Sequence, residues 1–268
     1  MPNEISFMGA NLVAQQLDWS MTEGWGQGDA AANAHYAPIE TFRERFNSLI
    51  EYVVANGFSL VDVWTAQLNW EWATEEHLRI AREVLDGHGV RVASYAGEYG
   101  SSPDQFQRAC EVAGALGTRI LGGNAPLLAA DRDFVVKTLI AHDLCLAIEN
   151  HAEKTSDEML ARIGDGANGR IGTALDTGWY GSQGYDAARA VHELRDHLFY
   201  LHLKDVRGVG AHDTCRFGEG IVRIRECVEA ARELGYSGPI SVEHEPERFD
   251  PTDDCVASRE MLEEWLSP

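Results

Sequence analysis

The sequence predicts one α/β domain closed into a (β/α)8 barrel, the TIM-barrel architecture. Eight short apolar runs succeed one another along 268 residues, and each is followed by a stretch with helical periodicity. No linker, low-complexity tract or shift of composition divides the chain, so residues 1–268 read as a single domain. Runs of four to eight near-continuously apolar residues suit strands buried on both faces, and strand–helix alternation suits a parallel sheet with helices outside it. Eight such repeats favour closure over an open doubly wound sheet.

The strand candidates, in order, are ISFMGANL (5–12), SLVDVW (59–64), VRVASYA (90–96), RILGGN (119–124), CLAIEN (145–150), IGTALD (171–176), FYLHLKD (199–205) and PISVEHE (239–245). Each is bounded by Gly, Asn, Asp or Pro. The first clear helix pattern, 39–57, spaces Phe42, Phe46, Ile50 and Val53 helically and stops at Gly57. The next, 74–89, opens on Thr74 as N-cap with acids in its first turn. Similar patterns cover 103–116, 131–143, 155–163, 185–196, 220–235 and 255–266.

One connection departs from the pattern. Between the first strand and Ile39 lie about 26 residues (13–38), rich in Gly, Ala and Asn and carrying Trp19 and Trp25. Long loops inside compact domains are usually functional or disordered, and two tryptophans argue against disorder. In a barrel this loop sits at the catalytic face. It is expected to serve as a lid or substrate wall, or as a contact in a homo-oligomer.

The net charge of −21 sets the chain against nucleic acid or an acidic membrane, whose own charge it would repel. Cys110, Cys145, Cys215, Cys227 and Cys255 are odd in number, scattered and free of any C-x-x-C pair, as for reduced thiols. MPNEISFMGANLV lacks a basic segment followed by a long apolar one, and no apolar run approaches the length of a membrane helix. The expectation is a cytoplasmic protein with no membrane partner.

Side chains at the C-terminal ends of barrel strands converge on one mouth. Strands five to eight end with Glu149, Asp176, His202 and Glu243, at successive separations of 27, 26 and 41 residues. Three clustered carboxylates repel one another unless protonated or neutralised by a cation. Oxygen ligands with one imidazole suit Mn²⁺, Co²⁺, Mg²⁺ or Zn²⁺ rather than a thiolate-seeking metal.

With LAIENH, ALDTG, YLHLKDV and SVEHE set in such a barrel, the chain resembles the xylose isomerase-like superfamily of sugar isomerases and epimerases along essentially its whole length. The run YLHLKDVR (200–207) is especially similar to the inosose dehydratase branch, which removes water from a cyclic keto-polyol. The resemblance implies that Glu149, Asp176, His202 and Glu243 bind one divalent metal, most often Mn²⁺ in the family. It also implies that Glu149 and Glu243 act as the acid/base pair on opposite faces of a bound ketose.

The expected activity is therefore isomerisation or epimerisation of a ketose or keto-polyol. A proton α to the carbonyl is removed, and the charge of the enediolate is held by the metal. Expulsion of a β-substituent from the same species gives the alternative, a lyase or dehydratase acting on an inosose, a 3-keto-glycoside or a C-glycoside. His151, two residues beyond Glu149, is a candidate base or substrate ligand. Lys204, with the same offset from His202, is expected to bind a substrate oxygen or to pair with Asp205 or Glu245. Glu98 and Asn124 follow strands three and four and are candidates for substrate hydroxyls. Trp64, with Trp70 and Trp72, is placed to offer an aromatic face to sugar C–H groups. RFGEG (216–220) reads as a turn or as a source of backbone N–H groups for an anion.

Two positions depart from the family pattern. Trp179 stands where many relatives have a substrate-contacting His. Gly208 stands where they often have Arg, with Arg207 one residue earlier. Trp179 and Arg207 are thus candidate substrate contacts of altered kind, and Trp179 with His151 suits a larger or cyclic keto-substrate. Endonuclease IV-like DNA repair enzymes of the superfamily need several further histidines, including the one Trp179 replaces, and the negative charge also opposes DNA.

Overall fold

The computed structural model describes residues 3–210 and 212–267. Eight parallel strands close into a barrel: β1 (Ile5–Met8), β2 (Leu60–Trp64), β3 (Arg91–Glu98), β4 (Ile120–Asn124), β5 (Cys145–Glu149), β6 (Ile171–Asp176), β7 (Leu198–Leu203) and, last in the chain, β10 (Ile240–Val242). β10 pairs with both β7 and β1, which leaves the barrel no edge. Between β7 and β10 an antiparallel hairpin, β8 (Asp205–Val206) and β9 (Thr214–Cys215), stands apart from the barrel.

Apolar spacing or side-chain caps mark most of the helices. Helix α1 is Trp25–Tyr36, and α2 (Ile39–Ala55) buries Phe42, Phe46, Leu49, Ile50 and Val53 on one stripe. α3 (Glu75–His88) starts at a capping box in which Thr74 and His77 exchange hydrogen bonds, and α4 (Pro103–Leu116) at a second one built by Ser102 and Gln105. They end at Gly89 and Gly117, whose φ of 65° and 77° favours glycine. Then come α5 (Leu127–Ala130), α6 (Arg132–Ala141), α7 (Ser156–Ile163), α8 (Thr177–Ser182), α9 (Ala187–Glu193), α10 (Ile224–Glu233) and α11 (Thr252–Leu266).

Several boundaries correct the sequence reading. The first strand stops at Met8, because Gly9–Leu12 coil into a 3-10 turn. The eighth stops at Val242 and the seventh at Leu203. After the sixth strand, Thr177-Gly178 begins the one-and-a-half-turn α8, since the Asp176 carboxylate caps it. The segment 13–38 is not structureless: it holds a second 3-10 turn, Gln15–Leu17, and α1.

The barrel interior contains a polar layer. Asp62, fully buried on β2, accepts hydrogen bonds from Ser6 (2.6 Å), Ser94 (2.7 Å), Ser241 (2.8 Å) and the Tyr200 hydroxyl. Four donors from four other strands satisfy a carboxylate that burial would otherwise penalise. The five cysteines are unpaired, four of them buried. No helix among the described residues is long and apolar enough to cross a membrane.

Candidate metal centre and active site

The four strand-end residues meet. Glu149, Asp176, His202 and Glu243 are buried, and each offers one ligand atom within 4.8 Å of the others. Parallel register brings them level: Asp176 lies beside His202 across β6–β7, and His202 beside Ser241 on β10, two residues before Glu243. His202 Nδ1 sits between the glutamates, 2.9 Å from Glu149 Oε1 and 3.2 Å from Glu243 Oε2.

Asp176 divides its two oxygens between two tasks. Oδ1 accepts the backbone N–H groups of Gly178 (2.7 Å) and Trp179 (2.9 Å), capping α8. Asn150 clamps the same residue through its backbone N–H and carbonyl (2.8 and 2.9 Å), locking the ends of β5 and β6 together. Oδ2 is buried without a hydrogen bond, as are Glu243 Oε2 and His202 Nε2. The cap and the clamp thus fix the carboxylate and leave one oxygen aimed into the cluster.

This donor set fits a divalent cation. Metal–ligand bonds of about 2.0–2.2 Å put adjacent ligand atoms about 3 Å apart, which is the separation His202 Nδ1 keeps from both glutamates. The charges agree with this. Burial pushes the Asp176 carboxyl up to about 6, against the pull of Lys204. Glu149 resists the same burial and stays well below the usual carboxylate range, because His151 and His202 flank it.

Lys204 is the cluster's internal counter-charge. Its Nζ lies 2.9 Å from Asp176 Oδ2, outside hydrogen-bonding geometry, and 3.0 Å from both Glu243 Oε1 and Glu245 Oε2. Of the two partners expected for it, Glu245 is present and Asp205 is not. Asp205 instead accepts four backbone N–H groups, from Val206, Gly218, Gly220 and Val222, at 2.9–3.0 Å. The RFGEG loop therefore does bind an anion, and that anion is the chain's own carboxylate.

A cavity of about 530 Å³ opens above the cluster. His151 lines it, half exposed, with Nε2 2.8 Å from Glu149 Oε2. Asn124 also lines it, 3.2 Å from His151 Nδ1 and held from behind by Arg162 (2.7 Å). Trp64, Glu98, Trp179 and Lys204 complete the expected residues found there. Arg207 is a correction: half exposed, it faces Asp213 (3.8 Å) and Glu219 (3.7 Å) across the hairpin and lies outside the lining. Trp70 and Trp72 also lie outside it. They donate to the Glu98 carbonyl (2.8 Å) and to Asn33 of α1 (2.9 Å), so they brace the wall from behind.

Sequence reasoning missed Asp29 and His212 as lining residues, and placed Trp25 only within a segment expected to wall the site. Trp25 and Asp29 belong to α1, whose WGQGDAAANAHY carries little apolar periodicity. His212 stacks on Trp179 (ring centroids 4.3 Å, planes at 23°), while His151 meets the same ring edge-on at 4.9 Å. Its Nε2 is 3.4 Å from Lys204 Nζ. One face of Trp179 is therefore covered by an imidazole.

A closed parallel barrel with a carboxylate–imidazole cluster at the C-terminal mouth defines the class of the protein. Residues 50–265 match the profile of the family described as xylose isomerase-like TIM barrel, and the chain belongs to that family. An uncharacterized protein of Methanocaldococcus jannaschii is 29% identical over 115 residues, which are 42% of this chain and 37% of that protein. The match thus spans little more than a third of that relative's length. Among solved structures, a D-allulose 3-epimerase from Methylomonas sp. in complex with D-allulose superposes with a TM-score of 0.68 at 17% identity, covering 98% of this chain and 97% of that one. A probable 3-DHS dehydratase from Bacillus anthracis superposes with a TM-score of 0.67 at 14% identity, covering 97% and 98%. At these identities the likeness is one of fold, and the fold serves both epimerases and a dehydratase.

Proposed function

We propose that the protein is a divalent-metal-dependent isomerase or epimerase of a ketose or keto-polyol. The observation that carries this reading is the buried Glu149–Asp176–His202–Glu243 set beneath a cavity of substrate size, with both glutamates at its floor. These four residues would hold one metal ion, Mn²⁺ being the first candidate. When bound, the ion supplies Lewis-acid stabilisation of charge developing on the substrate's carbonyl oxygen.

The chain's own residues do the rest. Glu149 and Glu243 are the candidate acid/base pair: one carboxylate takes the proton α to the carbonyl, and the other returns one to the opposite face or to the neighbouring carbon. His151 touches Glu149 and reaches the cavity, so it orients that carboxylate and can relay its proton. Lys204 keeps Glu243 and Glu245 in place. Asn124 offers a side-chain amide toward substrate hydroxyls.

The second reading is a lyase of the same fold, acting on an inosose or keto-glycoside with His151 as base. It is favoured by the half-exposed His151, a second basic group beside the carboxylate pair. Incubation of Mn²⁺-loaded protein in D₂O with ketoses, inososes and 3-keto-glycosides separates the two. Solvent deuterium in an isomeric product supports the first, and loss of water or of an aglycone supports the second. If no substrate exchanges a C–H for deuterium or is consumed, with or without Mn²⁺ or Co²⁺, both readings fail.

A further inference from the structure

We infer that the cavity has a second compartment for an apolar ring, so that the substrate is an uncharged keto-sugar carrying an aromatic or similarly apolar substituent rather than a free sugar. This rests on the metal-site reading above and extends it to the other half of the barrel mouth.

Opposite the cluster, the ends of β1 and β2 are apolar, and β3 adds an apolar residue before its terminal Glu98. Met8 ends β1 and Ala10 follows it, Trp64 ends β2, and Ala96 lies on β3. All four line the cavity and belong to one apolar cluster, backed by Val13 and Met21. A free sugar carries hydroxyl groups around its ring, and a hydroxyl set against this wall would lose its water without gaining a partner. An apolar ring loses nothing there.

Trp25 completes the compartment. It is 40% exposed, large and aromatic, and meets Trp64 edge-to-face at 5.2 Å. Two indoles inclined at 63° leave a corner that suits a flat ring. The helix that carries Trp25 is a fixed wall. A Cβ at Gly28 would run into the Val13 carbonyl and stand 2.6 Å from Val13 Cγ2, so α1 lies directly on the preceding segment. Asn33 ties its far end to Asn69 and Trp72, both at 2.9 Å.

Charge and size narrow the occupant further. Asp29, Glu98, Glu245 and Glu247 line the cavity beside the metal-site carboxylates. Among the described lining residues Lys204 is the one lysine or arginine, and three carboxylates already surround it. A phosphate or carboxylate on the substrate would be repelled. The volume of about 530 Å³ falls among pockets of about 300–1,000 Å³ that take ligands of drug size.

The test reads binding without turnover. Mn²⁺-loaded full-length protein is titrated calorimetrically with matched methyl and phenyl glycosides of glucose, galactose and xylose, each as α and β anomers. Saturation-transfer NMR reports which ligand protons touch protein. In the best-bound pair, the phenyl glycoside is expected to bind at least about 10-fold tighter, as burial of one ring implies, with transfer to its aromatic protons. Trp25→Ala should bring it to within about twofold of the wild-type methyl value, and Trp25→Phe should retain most of the gain. The inference is overturned if no pair shows a phenyl preference, if no glycoside binds, or if the preference survives Trp25→Ala. A phenyl preference without any deuterium exchange would sink the proposed reaction and leave the compartment standing. Exchange without a phenyl preference would sink the compartment alone.

Discussion

The two halves of the barrel mouth are built by the same repeat and carry opposite chemistry. On β5, β6, β7 and β10 the strand ends are Glu149, Asp176, His202 and Glu243, with Lys204 among them. On β1 and β2 the corresponding region presents Met8, Ala10 and Trp64, joined by Trp25 of α1 and by Ala96 of β3, two residues before the Glu98 that ends that strand. Beneath the apolar half lies the Asp62 layer, where the burial of charge is solved differently. Asp62 is answered by four hydroxyls, whereas the cluster leaves Asp176 Oδ2 and Glu243 Oε2 without hydrogen bonds. A satisfied buried carboxylate is architecture, and an unsatisfied set of them is a cluster suited to a divalent cation.

The largest effect should come from the charged half. Glu149→Gln and Glu243→Gln are each expected to cut turnover by about 10²–10⁴-fold, read as the rate of solvent deuterium incorporation. A wild-type rate in either variant removes it from the acid/base pair. Chelation should abolish turnover and also lower the thermal midpoint. An ion present at about a hundred times its Kd stabilises by about 2.7 kcal/mol, so calorimetry with and without Mn²⁺ should differ by several degrees. Equal midpoints would mean that the cluster is held by Lys204 alone.

The structural carboxylate should behave in the reverse manner. Asp62→Ala strands three serine hydroxyls and one tyrosine hydroxyl, and is expected to cost about 3 kcal/mol, measured as a fall in the urea midpoint while metal stoichiometry is kept. Loss of metal in a folded Asp62→Ala protein would show that the two carboxylate systems are not independent. On the apolar half, Gly28→Ala forces α1 away from Val13 and should cost about 1–3 kcal/mol. Because the wall moves and the floor does not, KM should rise more than kcat falls. A pure kcat effect would place α1 in the chemistry.

The smallest effect concerns His212. Burial first, and the Lys204 charge second, hold its imidazole down at about 3 from an ordinary 6.5. With the folded pKa depressed, the unfolded chain binds this proton more tightly. The contribution to stability is therefore complete above 6.5 and is lost as pH falls toward 3. His212→Gln should flatten the pH dependence of the urea midpoint in that window, and an unchanged slope would assign the acid sensitivity to other groups.

How much of this was legible in the sequence follows from periodicity. Glu149, Asp176, His202 and Glu243 close apolar runs, and a parallel barrel brings every strand end to one mouth, so naming the strands named the cluster. His151 and Lys204 followed from an offset of two residues. Arg207 did not follow, because the chain leaves the barrel after Leu203 and turns into the β8–β9 hairpin, whose two-residue strands leave no periodic trace. His212 was hidden for the same reason.

By itself, the sequence determined the barrel and the four-residue cluster, because short apolar runs alternating with helical periodicity are local signals repeated along the chain. Only the tertiary structure decided what surrounds that cluster. The fate of the segment 13–38, the stacking of His212 on Trp179, the pairing of Lys204 with Glu245 rather than Asp205, and the division of the mouth into charged and apolar halves all depend on contacts between residues distant in the chain. No local pattern encodes those contacts. Closure of the barrel brings them together.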